Sequence, residues 1–142
     1  MSDEMKYLPK SLVVGLDNID SEHEVLFSLF DTLSKAIENN DYLFDLGEII
    51  EELVAYVKFH FKSEEKLMIS SGYPNIMQHR KAHKIMTAHV HGYMFRFKSK
   101  SESQRNIVVD INDFIKFWFI DHIANDDMNL AKYYNNISDK IS

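Results

Sequence analysis

Apolar residues recur along most of this chain in alternating steps of three and four, the spacing that gathers side chains on one face of a helix. The first such stripe runs Ile19, His23, Leu26, Phe30, Leu33, Ile37 and predicts a helix over residues 20–39, after "DNID", where Asp20 or Ser21 is placed to cap its start. "ENND" then supplies a turn. A second stripe, Leu46, Ile49, Leu53, Tyr56, His60, Glu64, Leu67, predicts a helix that begins between residues 41 and 46 and ends near 70. Gly72 suits its C-cap, and Pro74 suits the first turn of the following helix. The third stripe is Ile76, His79, His83, Met86, Val90, Tyr93, Phe97, which stops at the polar loop "KSKSES". The fourth is Val108, Ile111, Ile115, Trp118, His122.

Long helices joined by short connections pack antiparallel, so the expected fold is all-α, an up-down-up-down antiparallel four-helix bundle over about residues 18–137. Residues 1–17 lack the periodicity and read as an N-terminal arm on the outside of the bundle, with Val13 and Val14 as anchors. A chain of 142 residues with 45% hydrophobic content has material for one core, so residues 1–142 are expected to form a single domain. The net charge of −6, with scattered basic residues, argues against a nucleic-acid partner. The absence of cysteine restricts any metal to nitrogen and oxygen ligands. No secretion signal opens the chain, and no run approaches the roughly 18 apolar residues of a membrane span, so a cytoplasmic location without membrane contact is expected.

Polar residues interrupt the stripes. His23, His60, Glu64, His79, His83 and His122 all occupy core-facing positions. One buried polar group without a partner costs about 1–3 kcal/mol, so six cost on the order of 10 kcal/mol, comparable to the net stability of a domain. Hydrogen bonds among themselves do not solve this, because five histidines have too few anionic partners. Imidazole and carboxylate together are what a first-row metal ion takes. His60 with Glu64, and His79 with His83, are both spaced four apart, so each pair points to one spot.

The segment "FIDHIANDDMNL" places Asp126 four residues and Asp127 five residues after His122. On an ideal helix a step of five turns a side chain about 140° away, which favours Asp126. The apolar stripe favours the other, because Asp127 continues into Leu130, Tyr134 and Ile137 whereas Asp126 leads to Asn129 and Tyr133. A slip of one residue is what a π-bulge produces. Asp127 is therefore assigned to the core and Asp126 to the surface. Five histidines and two carboxylates exceed one tetrahedral ion but suit two metals bridged by the carboxylates. Five divide as three and two, so with an added oxo or hydroxo bridge one metal is six-coordinate and the other is left one ligand short.

This constellation resembles that of the hemerythrins, and in particular the bacterial hemerythrin-like domains. The likeness rests on "IDSEHEVLF", on "HFKSEEKLMISSGYPNIMQHRKAH" and on "WFIDHIANDDMNL": a lone His, then HxxxE, HxxxH and HxxxxD, spanning residues 12 to about 135. It implies two iron ions, one held by His79, His83 and His122 and the other by His23 and His60, with Glu64 and Asp127 bridging. It also implies reversible O2 binding at the five-coordinate iron as a hydroperoxide, a non-enzymatic role in oxygen storage, delivery or sensing. Two other readings come with it: a regulatory module sensing O2 or redox state with a fused or associated signalling domain, and a diiron enzyme processing O2 or NO. Many relatives carry a tryptophan in the arm where this chain has Tyr7 and Leu8.

Reversible binding needs a dry pocket, and Leu26, Phe30, Ile115 and Trp118, on the same stripes as the ligands, are candidates for its walls. His89 and His91 match no ligand position and read as surface or boundary residues. Glu65 lies about 100° around the helix from Glu64 and reads as solvated. Met68, Met77 and Met86 read as core filler.

Overall fold

The computed structural model describes residues 5–100 and 102–141; residues 1–4 of the expected arm, residue 101 of the polar loop and residue 142 lie outside the described residues. Four long rods form: α1 (Asp17–Glu38), α2 (Leu43–Ser71), α3 (Ile76–Ser99) and α4 (Gln104–His122), the last continuing through a π-helical turn (Ile123–Asp127) into α5 (Met128–Ile141). Short turns join them, so neighbours run antiparallel, with α1 packed on α2 and α4, and α3 on the same two helices. The result is an up-down-up-down four-helix bundle with an arm laid along it, and no strand occurs among the described residues. No described helix is long and apolar enough to cross a membrane.

The helix ends follow the chemistry of the sequence in part. Gly72 closes α2 in the left-handed conformation (φ 67°), where a glycine meets no Cβ penalty. The Tyr73 N–H then donates to Met68 O at 3.0 Å. Pro74 falls in the turn before α3 rather than inside its first turn, because the helix begins only at Ile76 with Asn75 as its N-cap. α1 starts at Asp17, three residues earlier than expected, and its N-cap Leu16 offers no side-chain bond. Asp20 caps nothing in α1. It reaches back to the arm instead, accepting from Val14 N at 2.8 Å and Gly15 N at 3.0 Å.

A second α1 carboxylate, Glu24, accepts from the backbone N–H groups of Lys6, Tyr7 and Leu8 at 2.8–3.0 Å. These two acids satisfy arm amides that would otherwise be stranded against the bundle. The apolar anchors are Leu8, Leu12 and Val14, all buried, whereas Val13, expected as an anchor, is exposed. Val13 is extended, and successive side chains of an extended segment point to opposite sides, so burying Val14 turns Val13 outward.

Inside, the stripes are wider than a single seam. Ile50 and Val57 of α2 are fully buried, while Ile49 and Tyr56, on the expected stripe, are only half-buried. Met68 and Met86 fill the core, but Met77 is exposed at the start of α3. Because the rods alternate in direction, the start of α1, the end of α2, the start of α3 and the end of α4 meet at one end of the bundle. That end holds the buried histidines.

Candidate metal centre

His23 comes from α1, His60 and Glu64 from α2, His79 and His83 from α3, His122 from α4 and Asp127 from the π-helical turn, and all seven side chains are buried. Their inward atoms lie at contact distance. Glu64 Oε1 is 3.1 Å from His79 Nε2 and 3.0 Å from His83 Nε2, while Glu64 Oε2 is 3.2 Å from His60 Nε2. Asp127 Oδ2 is 3.1 Å from His23 Nε2, and Asp127 Oδ1 is 3.2 Å from both His79 Nε2 and His122 Nε2. The donors fall into two clusters: Glu64, His79, His83 and His122 in one, and His23, His60, Glu64 and Asp127 in the other.

The donor set fits metal ions on its own geometry. His23 Nε2 and His60 Nε2 are 3.0 Å apart, and His83 Nε2 and His122 Nε2 are 3.2 Å apart. Adjacent donors on a six-coordinate ion with bonds of about 2.1 Å lie about 3.0 Å from one another. Glu64 Oε2 and both Asp127 oxygens are buried and close to imidazole nitrogens, yet none is in hydrogen-bond geometry. Such atoms are costly to leave unpaired, and here they converge with nitrogens that are lone-pair donors when neutral.

Electrostatics points the same way. Burial by itself lowers an imidazole pKa, but the carboxylates outweigh it. His60 is pushed up to about 10, chiefly by Glu64 and Glu22. His79 rises to about 9 through Asp127 and Glu64, and His122 to about 12 through Asp127 and Asp126. His23 is raised as well, by Asp127 and Glu64. Burial works to raise Glu64 and Asp127, yet the surrounding imidazoles hold both below the ordinary carboxylate range. Two buried carboxylates thus demand compensating positive charge, which protons supply without metal and which metal ions supply once bound.

The π-helical turn explains how HxxxxD works. An ideal helix would point Asp127 away from His122, but the extra residue in the turn brings Asp127 to the inside (1% exposed). Asp126 stays outside, as expected, with its side chain 44% exposed, but it is not idle: its carboxylate accepts from His122 Nδ1 at 2.8 Å. Glu65, expected to be solvated, is instead half-buried and accepts from His83 Nδ1 at 3.1 Å, with Arg80 3.6 Å away. Glu22, which sequence reasoning passed over, accepts from His60 Nδ1 at 2.7 Å. These outer carboxylates fix the ring orientation that turns Nε2 inward.

Aromatic rings close the centre. Phe61 stacks on His83 (3.8 Å between centroids, 8°) and Trp118 stacks on His122 (4.3 Å, 21°). Leu26, Phe30 and Ile115 are fully buried, whereas Trp118 is half-buried on the His122 side. Phe30 meets Phe119 at 6.2 Å, and Phe119 meets His60 at 6.0 Å. Phe61 and Phe119 each sit one residue beyond a stripe position, so periodicity does not single them out. His89 and His91 are exposed, and the His89 ring lies 5.3 Å from that of Phe114.

Fold and site together define a four-helix protein with a buried imidazole–carboxylate centre suited to cations. The chain belongs to the hemerythrin family: the hemerythrin HHE cation binding domain matches residues 14–134. It is 30% identical over 120 residues to Bacteriohemerythrin of Stenotrophomonas maltophilia, covering 84% of this chain and 75% of that protein. Bacteriohemerythrin of Clostridium acetobutylicum is 31% identical over 117 residues, covering 80% of this chain and 89% of that one. Among solved structures, wild-type hemerythrin superposes with a TM-score of 0.74 at 22% identity, covering 84% of this chain and 88% of the other. At that identity the superposition establishes the bundle fold alone.

Proposed function

We propose that this chain binds O2 reversibly at a non-haem diiron pair, for oxygen storage, delivery or sensing, and that it is a binding protein rather than an enzyme. His79, His83 and His122 would hold one iron and His23 and His60 the other, with Glu64 and Asp127 shared between them. The observation that carries this reading is the unequal division of five imidazoles, three in one cluster and two in the other, with Glu64 common to both clusters and Asp127 within 3.2 Å of His23, His79 and His122. When bound, the iron pair would supply two electrons to a diatomic ligand, taken up on the side held by His23 and His60.

The protein's own part is to hold the donors and keep water out. Neutral imidazoles that outnumber carboxylates five to two leave less negative charge on the metals than the carboxylate-rich centres of di-iron bundles. That balance favours reversible binding over stabilisation of highly oxidised iron. Leu26, Phe30, Ile115 and Trp118 wall the centre, joined by Phe61 and Phe119, and present no acid or base to a bound gas. The test is an optical spectrum of purified protein with its iron counted. Two irons per chain, with oxo-bridge charge-transfer bands that appear on exposure of the reduced protein to O2 and vanish when O2 is removed, would support the reading. Two irons without that cycle would overturn it, and steady consumption of a reductant with O2 or NO would move the assignment to an enzyme.

A further inference from the structure

The three outer carboxylates are not equivalent. Glu22 reaches from α1 across to His60 on α2 at 2.7 Å, and its second oxygen accepts from Ser63 Oγ, also at 2.7 Å. Both of its oxygens are therefore occupied, and its side chain is only 14% exposed beside a fully buried imidazole. Glu65 at His83 is 29% exposed and shared with Arg80, and Asp126 at His122 is 44% exposed. His23 Nδ1 and His79 Nδ1 have no hydrogen-bond partner among the described residues. Among the described residues, the carboxylate that accepts from a ligand ring on the two-histidine side is Glu22, and it is the least exposed of the three and hence the least screened.

We propose that Glu22, latched by Ser63, is a positioning residue that tunes the metal bound at His60, and that its charge matters there more than Asp126 matters at His122. This rests on the diiron O2-binding reading above. A carboxylate accepting from Nδ1–H makes the imidazole a stronger donor through Nε2. Stronger donation favours the more oxidised metal and hence binding of O2, which draws electron density from iron. The buried position of the pair makes the charge effective, because field strength rises as water is excluded.

The test uses the full iron-loaded chain, with iron content, the midpoint potential of the iron pair and the O2 dissociation constant as readouts. Glu22→Gln keeps the shape and can keep both hydrogen bonds but removes the charge. It is expected to retain two irons, to weaken O2 binding about tenfold and to raise the midpoint of the pair by about 30 mV, the two-electron equivalent of tenfold. Glu22→Asp restores the charge and is expected to return both values most of the way to wild type. Asp126→Asn is expected to shift them in the same direction by less than Glu22→Gln. The proposal is overturned if Glu22→Gln behaves as wild type, since removing the charge would then change nothing, or if Asp126→Asn has the larger effect. If Glu22→Gln does not retain iron, Ser63→Ala decides: a raised midpoint supports the proposal, and a wild-type midpoint overturns it. A wild-type protein that holds two irons yet forms no O2 adduct would sink the O2-binding reading, and the inference would then stand or fall on the midpoints.

Discussion

At the end of the bundle where α1 finishes and α2 begins, Leu33, Leu46, Leu53, Val90, Ile107 and Ile111 pack with no more than 2% exposure. Their chief polar intrusion is Asn112, whose side-chain amide donates to Ser34 Oγ at 2.9 Å. At the opposite end the same four rods enclose five imidazoles and two carboxylates. The apolar end gains stability simply by leaving water. The polar end is stable only if its charges are matched from within, by protons or by metal. One half of the protein is thus a self-sufficient clamp and the other a socket whose stability depends on its contents. The clamp permits the socket to exist.

The largest effect should come from the residue common to both donor clusters. Glu64→Ala is expected to abolish binding of both irons, measured as metal per chain, and to cost the metal-free protein about 3–5 kcal/mol in urea unfolding, since the imidazoles lose their buried counter-charge. Retention of two irons would break the comparison. Leu53→Ala, at the apolar end, is expected to cost about 2–5 kcal/mol while leaving iron at two per chain. A loss of iron comparable to that of Glu64→Ala would show that the two ends are not separable.

A smaller effect follows from protonation. Without metal, the buried carboxylates push His79, His60 and His122 up to about 9, 10 and 12, against about 6.5 when unfolded. Their contribution to stability is therefore complete below pH 6.5 and is lost as pH rises through the folded values. Glu64 and Asp127, held low, contribute above the ordinary carboxylate range near pH 4 and lose that contribution as pH falls. The urea midpoint of metal-free protein should accordingly be higher at pH 6 than at pH 9. Iron uptake should release protons, since the ligands bind metal deprotonated. A metal-free midpoint that rises towards pH 9 would contradict this. The smallest effect expected is that of Tyr133→Phe, which removes donation to Ser71 O at 2.8 Å and Gly72 O at 3.0 Å. It should cost about 0.5–1.5 kcal/mol with no change in iron content.

Features set by spacing within one helix were legible in the sequence. The four rods, the Gly72 stop and the pairs His60–Glu64 and His79–His83 all follow from a period of 3.6, and the one-residue slip after His122 announced the π-helical turn. What was not legible depends on contacts between helices. Glu22 meets His60 across 38 positions of chain, and Glu65 meets His83 across 18, so no periodicity signals either. Asp20, like Ser21, suits a helix cap by residue type, but the arm offers Asp20 two free amides. Phe61 and Phe119 escape because a core-facing helix buries a band wider than one stripe, and both are buried one residue off the stripe positions.

Iron-edge anomalous diffraction from crystals grown with ferrous iron tests most directly whether these seven side chains form a two-metal socket. The expected result is two anomalous peaks per chain within the buried end, one beside His79, His83 and His122, the other beside His23 and His60, with Glu64 and Asp127 touching both. A single peak, or peaks away from these residues with Asp127 turned to solvent, would contradict it.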